Sequence, residues 1–170
     1  MLMIALLISA AAPATTASTN PLALAKKGML QCYQPDVVKK TCDSIASYQR
    51  TGPGTYDNKA IVSLGSGATL ETHSPVTVRG GAVCGLIKAE DVMAGRLRIG
   101  DRVITGEQAK PILEHVVQAF APFAGKEICT RYEPAGADFK AKATIAGASL
   151  PERDITVKWI EPTEGYTAAR

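Results

Sequence analysis

Cys32, Cys42, Cys84 and Cys129 are the residues whose chemistry the sequence limits most tightly. Thiolates can hold a metal, cycle as a redox couple, carry a lipid or pair with one another. Zinc sites place ligands two to four residues apart, whereas Cys32 and Cys42 stand ten apart in "GMLQCYQPDVVKKTC". A thioredoxin-like couple needs two intervening residues, and here nine intervene. Lipid attachment needs a small residue before the cysteine, directly behind an apolar run, but Gln31 precedes Cys32 and Lys26-Lys27 come between. What remains is a pair of disulfides. Of the three pairings that four cysteines allow, Cys32 with Cys42 and Cys84 with Cys129 is preferred, because Pro35 and Asp36 read as a turn that reverses the chain between the first two. In the loop-closure account the short link contributes about 2.8 kcal/mol and the long one about 4 kcal/mol.

The two histidines offer less. His73 follows Glu71 by two residues, so on a strand both project from one face. Together with Asp57 they are weak candidates for a general base and its orienting partner, in a chain that shows no serine elbow and no free thiol to act as nucleophile. His115 stands beside Glu114 and reads as surface. The glycines of "RGGAVCG" lack both the GxGxxG pattern and the Lys-Ser/Thr ending of a phosphate loop. No metal ligand set and no cofactor is assigned, and catalysis is given only the weak candidates Glu71 and His73.

The elements that would position these residues are mainly strands. "SIASYQR" and "TYDNKAIVSL" flank a turn at "TGPG", and the second strand ends at Gly65-Ser66-Gly67. The Gly80-Gly81 pair predicts a two-residue hairpin in which Arg79 faces Ala82, Val78 faces Val83 and Thr77 faces Cys84. A short helical turn is expected in "AEDVMAG", then a small hairpin in "RLRIGDRVI". The clearest helix follows. Thr105 and Gln108 resemble a capping box, Pro111 lies early, and Ile112, Val116, Ala119, Phe120 and Phe123 recur at helical spacing before Gly125. That stripe reads as a core face. Beyond it, "EICTRYEP", "DFKAKATIAG" and "RDITVKWIEP" read as strands, with Phe139, Ala141, Ala143 and Ile145 on one side of the middle one. The expected fold is a single α+β domain, a twisted antiparallel sheet with one main helix packed on a face and two disulfides.

Composition places this domain outside the cytoplasm. The run from Leu2 to Ala12 is too short to span a bilayer but suits a secretory signal cleaved after Ala14 or Ala17. Residues 1–17 are therefore read as signal peptide, 18–27 as a flexible mature N-terminus and 28–166 as the domain. No second long apolar segment follows, so no integral membrane segment is expected after signal removal. A net charge of +3, from 19 Lys and Arg against 16 Asp and Glu spread along the chain, is not the footprint of a nucleic-acid binder. Few aromatics, 5%, argue in addition against a base-stacking platform.

Behind the signal, "LQCYQPDVVKKTC", "YDNKAIV", "VTVRGGAVCG", "EICTRYEP" and "VKWIEPTEGY" together resemble a set of uncharacterised secreted alphaproteobacterial proteins. The resemblance covers most of residues 28–166. It implies export and a disulfide-stapled fold, and it implies no activity and no catalytic residues. The functional expectation is a periplasmic or secreted binding or interaction module, with an envelope protein as one kind of partner. A small cell-envelope hydrolase with a non-contiguous site is the alternative. An inhibitor is the third, requiring "TGPGT" or "GSG" to stand out rigidly from the sheet.

Overall fold

Side chains alternate inward and outward along the long strands, and this period of two lets a twisted antiparallel sheet close on itself. The computed structural model describes residues 20–149 and 155–169, so the expected signal peptide lies outside the described residues. Its elements, in chain order, are β1 (Leu30–Tyr33), β2 (Thr41–Cys42), β3 (Ser44–Gly52), β4 (Thr55–Gly65), β5 (Ala68–Arg79), β6 (Ala82–Leu86), α1 (Ala89–Met93), β7 (Arg96–Ile99), β8 (Arg102–Ile104), α2 (Lys110–Phe120), β9 (Glu127–Ala135), β10 (Asp138–Ile145), β11 (Ala148–Ser149), β12 (Ile155–Ile160) and β13 (Thr167–Ala168).

Eight of these strands, β1, β3, β4, β5, β6, β9, β10 and β12, pair in sequence order, each antiparallel to its neighbour. The circle closes where β12 returns to β1, with Gln31 opposite Trp159 and Tyr33 opposite Val157. The fold is therefore a mostly β, up-and-down barrel, not the α+β twisted sheet expected from the sequence. Individual strand pairs follow local signals well. Gly80 and Gly81 take φ of 55° and 74° in the β5–β6 turn, and Val78 faces Val83 and Thr77 faces Cys84, as their spacing requires. Closure is the property that no local signal carries. Pro75, which has no N–H for a ladder, falls between the stretch of β5 that pairs with β7 (68–71) and the stretch that pairs with β6 (76–79).

Both ends of the barrel are covered. At one end the segment from Asn20 folds inward through a turn and a 3-10 helix at Ala25–Lys27, and Leu22, 0% exposed, packs against Tyr56, Val76, Val83 and Trp159. This is the stretch read from the sequence as a flexible lead-in. At the other end α1, α2 and the β7–β8 hairpin cluster around Leu70, Leu97, Ala109 and Leu113. The main helix thus caps a rim and does not lie across a sheet face. It begins at Lys110 with Pro111 in its first turn, while Thr105 precedes a separate 3-10 turn and makes no capping hydrogen bond. Of its expected core stripe, Ile112 and Val116 are partly buried, but Ala119 and Phe120 are exposed. Gly95 allows α1 to close onto β5: a Cβ there would stand 2.7 Å from Leu70 Cδ1.

Both disulfides lie on the outer side of the wall. Cys32–Cys42 joins β1 to β2 in a small separate core with Ile45 and Ile160, covered by the β2–β13 pair and Tyr166. Cys84–Cys129 bridges directly opposed residues of β6 and β9, with Cα atoms 4.0 Å apart. Among the described residues no helix is long and apolar enough to cross a membrane.

Candidate functional site: the barrel interior

Following one strand from end to end shows how the interior is organised. The inward residues of β4 are Tyr56, Asn58, Ala60, Val62 and Leu64, and those of β5 facing them are Val76, Ser74, Thr72 and Leu70. Tyr56 and Val76 belong to the plug around Leu22, whereas Leu64 and Leu70 belong to the cluster under the helices. Between these ends lies a cavity of about 460 Å³, lined by residues of β1, β3, β4, β5, β6, β9 and both helices. That volume falls within the range of small-molecule sites, about 300–1,000 Å³. Ala60, Val62, Leu64, Leu70, Val92 and Val116 make its upper chamber apolar. Its rim is marked by the lining residues that reach solvent, Leu86, Lys88 and Phe120.

Below the apolar chamber runs a belt of polar side chains. Tyr33 and Tyr48 both donate to Gln31 Oε1, at 3.0 and 2.8 Å, and the hydroxyls of Tyr33 and Tyr132 lie 2.6 Å apart. Gln31 is 0% exposed, and its Nε2 has no partner. Asn58 stands directly opposite Tyr48 on the neighbouring strand, and its Oδ1 is buried without a partner. Ser74 faces Asn58 in turn and donates to Asp91 Oδ2 at 2.7 Å. Three adjacent strands, β3, β4 and β5, thus present Tyr48, Asn58 and Ser74 in a row, and α1 brings Asp91 against Ser74. Burial pushes the Tyr33 and Tyr48 phenols well above the usual tyrosine range, and repulsion among the neighbouring phenolates adds to it. Burial also raises Tyr132, against the pull of its hydrogen bonds to Tyr33, Tyr48 and Gln31. All three stay neutral hydrogen-bonding groups near pH 7.

The residues singled out by sequence lie elsewhere. Glu71, His73 and Asp57 do come together: His73 Nδ1 is 2.7 Å from Asp57 Oδ2, and Nε2 is 4.0 Å from Glu71 Oε1. They do so on the outer wall, where the His73 side chain is 56% exposed, on the opposite side of β5 from the cavity. Among the described residues the ring hydrogen-bonds to Asp57 alone. The only grouping of metal-ligand types among the described residues, Cys84, Glu127 and Cys129, contains the two disulfide-bonded sulfurs and so no thiolate. Both loops weighed for an inhibitor are tight hairpin turns, and the Gly54 carbonyl is tied back to the Val78 N–H at 2.7 Å. A second depression, of about 570 Å³, lies outside the barrel between the β7–β8 hairpin and the start of α2, among largely exposed residues.

Fold and site together define a class: an antiparallel up-and-down barrel closed at one end, capped by helices at the other, with an amphipathic interior. No family model matches the sequence, and none of the curated proteins or solved structures is significantly similar to it.

Proposed function

We propose that the protein is an exported, disulfide-stapled binding module that holds one small amphipathic molecule inside its barrel, in the periplasm or outside the cell. The observation that carries the reading is the cavity itself, open at a rim, apolar toward the helices and polar toward the plug. Eight-stranded barrels have an interior just wide enough either to fill with side chains or to hold one small ligand, and here small and medium residues, Ala60, Val62, Thr72 and Gly85, leave the space open. At roughly 30 Å³ per water-sized group, the volume suits a ligand of about 15 such groups. Export is supported by the two disulfides, which persist in oxidising compartments. The hydrolase alternative would rest on Asp57 and His73, whose exposed position on the outer wall, with no nucleophile bonded to the ring, supports it less.

A neutral, environment-sensitive naphthalene dye tests the reading. Saturable one-to-one binding is expected, and Val62→Trp, which fills the upper chamber, abolishes it while far-UV circular dichroism and a cooperative urea transition show the barrel still folded. Overpacking of this kind costs typically 1–3 kcal/mol, within what a stapled barrel tolerates. Binding that does not saturate, or that survives Val62→Trp in the folded protein, overturns the proposal. A second reading, a protein partner in the envelope, is favoured by Val37 and Val38, 57% and 90% exposed on the loop between β1 and β2.

A further inference from the structure

Around one negative charge the cavity lining lacks a charged donor, and the orphan donor of the belt, Gln31 Nε2, belongs to a residue that does not line the cavity. Asp91 accepts a single hydrogen bond, from Ser74, and among the described residues no Lys, Arg or His forms an ion pair with it. Asn58 Oδ1 is buried with nothing donating to it. The hydroxyl protons of Tyr33 and Tyr48 are turned onto Gln31, so what Tyr48 has left for the cavity is an acceptor oxygen. Lys88 lines the cavity too, but at the exposed rim and without reaching Asp91.

We infer that the ligand is an amphipathic amine, with its ammonium group at Asp91, Asn58 and Tyr48 and its apolar body in the chamber below α1 and α2. This rests on the reading of the barrel as a ligand site. The chemistry discriminates among head groups. A carboxylate entering this belt would meet Asp91 as a like charge. An alcohol brings one donor and leaves the carboxylate without a counter-charge. An ammonium group brings the counter-charge and up to three N–H donors, which suits these three acceptors. Charge-assisted hydrogen bonds of this kind are about twice as strong as neutral ones, and a half-buried carboxylate gains most from a partner that arrives with its own charge.

Three probes of equal chain length, n-octylamine, 1-octanol and octanoate, separate these cases by calorimetric titration of the folded protein at neutral pH. Octylamine is expected to bind at least roughly tenfold more tightly than octanol, and octanoate to bind most weakly. Asp91→Asn, which keeps the size of the side chain, should bring octylamine down to the level of octanol. Lys88→Ala, which removes a like charge from the rim, should not weaken octylamine. Octanoate binding most tightly and losing that affinity in Lys88→Ala would overturn the assignment in favour of an anionic head at the rim. Equal binding of amine and alcohol, or an amine preference that persists in Asp91→Asn, would also overturn it. If the naphthalene dye binds saturably but the amine is not preferred, the head-group assignment alone falls. If neither the dye nor any probe enters, the cavity reading falls with it.

Discussion

Gln31 shows how a buried polar residue organises its surroundings. Its amide oxygen holds the Tyr33 and Tyr48 hydroxyls and so orients two of the three phenols of the belt. Gln31→Leu removes that acceptor; Tyr33 keeps its hydrogen bond to Tyr132, while the buried Tyr48 hydroxyl loses its acceptor at a penalty of about 1–3 kcal/mol, partly offset because the Gln31 Nε2 is itself unpartnered. Urea denaturation should register a net loss of about 1 kcal/mol. The same cluster sets an alkaline limit. Because the folded state raises the phenol pKa values, the unfolded chain loses its tyrosine protons first as the pH climbs past about 10. The unfolded state then binds fewer protons than the native one, so stability is full below pH 10 and falls above it, by up to about 1.4 kcal/mol per pH unit for each such phenol. Tyr33→Phe with Tyr48→Phe should flatten that slope in denaturant titrations above pH 10. None of this was legible residue by residue: Tyr33 and Tyr132 are 99 positions apart, and Asn58 and Ser74 are polar types that a sequence pattern assigns to the wet face. The carboxylate that matters inside is on α1, whereas the carboxylate-histidine group that sequence spacing pointed to is on the outside.

At the scale of elements, what depends on neighbours in the chain was readable. The β5–β6 hairpin register follows from two glycines, and the register puts Cys84 on the outer side, where β9 brings Cys129 opposite it. Removing that link with Cys84→Ala and Cys129→Ala should cost about 4 kcal/mol by denaturant midpoint, since 45 residues then move freely in the unfolded chain. The helix was readable as a helix but not as a lid. A stripe of Ile112, Val116 and Phe120 looks the same in sequence whether it meets a packed core or the mouth of a cavity. The structure separates the two: Phe120 lines the rim and is 45% exposed. Phe120→Ala should therefore weaken dye binding several-fold while lowering the melting temperature little, whereas Leu22→Ala, at the plug, should destabilise by about 2–5 kcal/mol.

Across the whole molecule the decisive event is the pairing of β1 with β12, which removes both edges of the barrel sheet. Amide exchange should show it: Gln31 and Trp159, near opposite ends of the chain, should exchange only with global unfolding, while β8, an edge outside the barrel, exchanges faster. The sequence by itself determined most of the long strands, their hairpin turns, the existence of the helix though not its start, and the residues suited to two disulfides, because each rests on backbone preference or on spacing between near neighbours. Closure, the plug formed by residues 20–27 and the amphipathic cavity were decided only in three dimensions. Two strands at the ends of the chain pair because twist and stagger bring them together, and polar side chains become interior when six strands and two helices surround a common space.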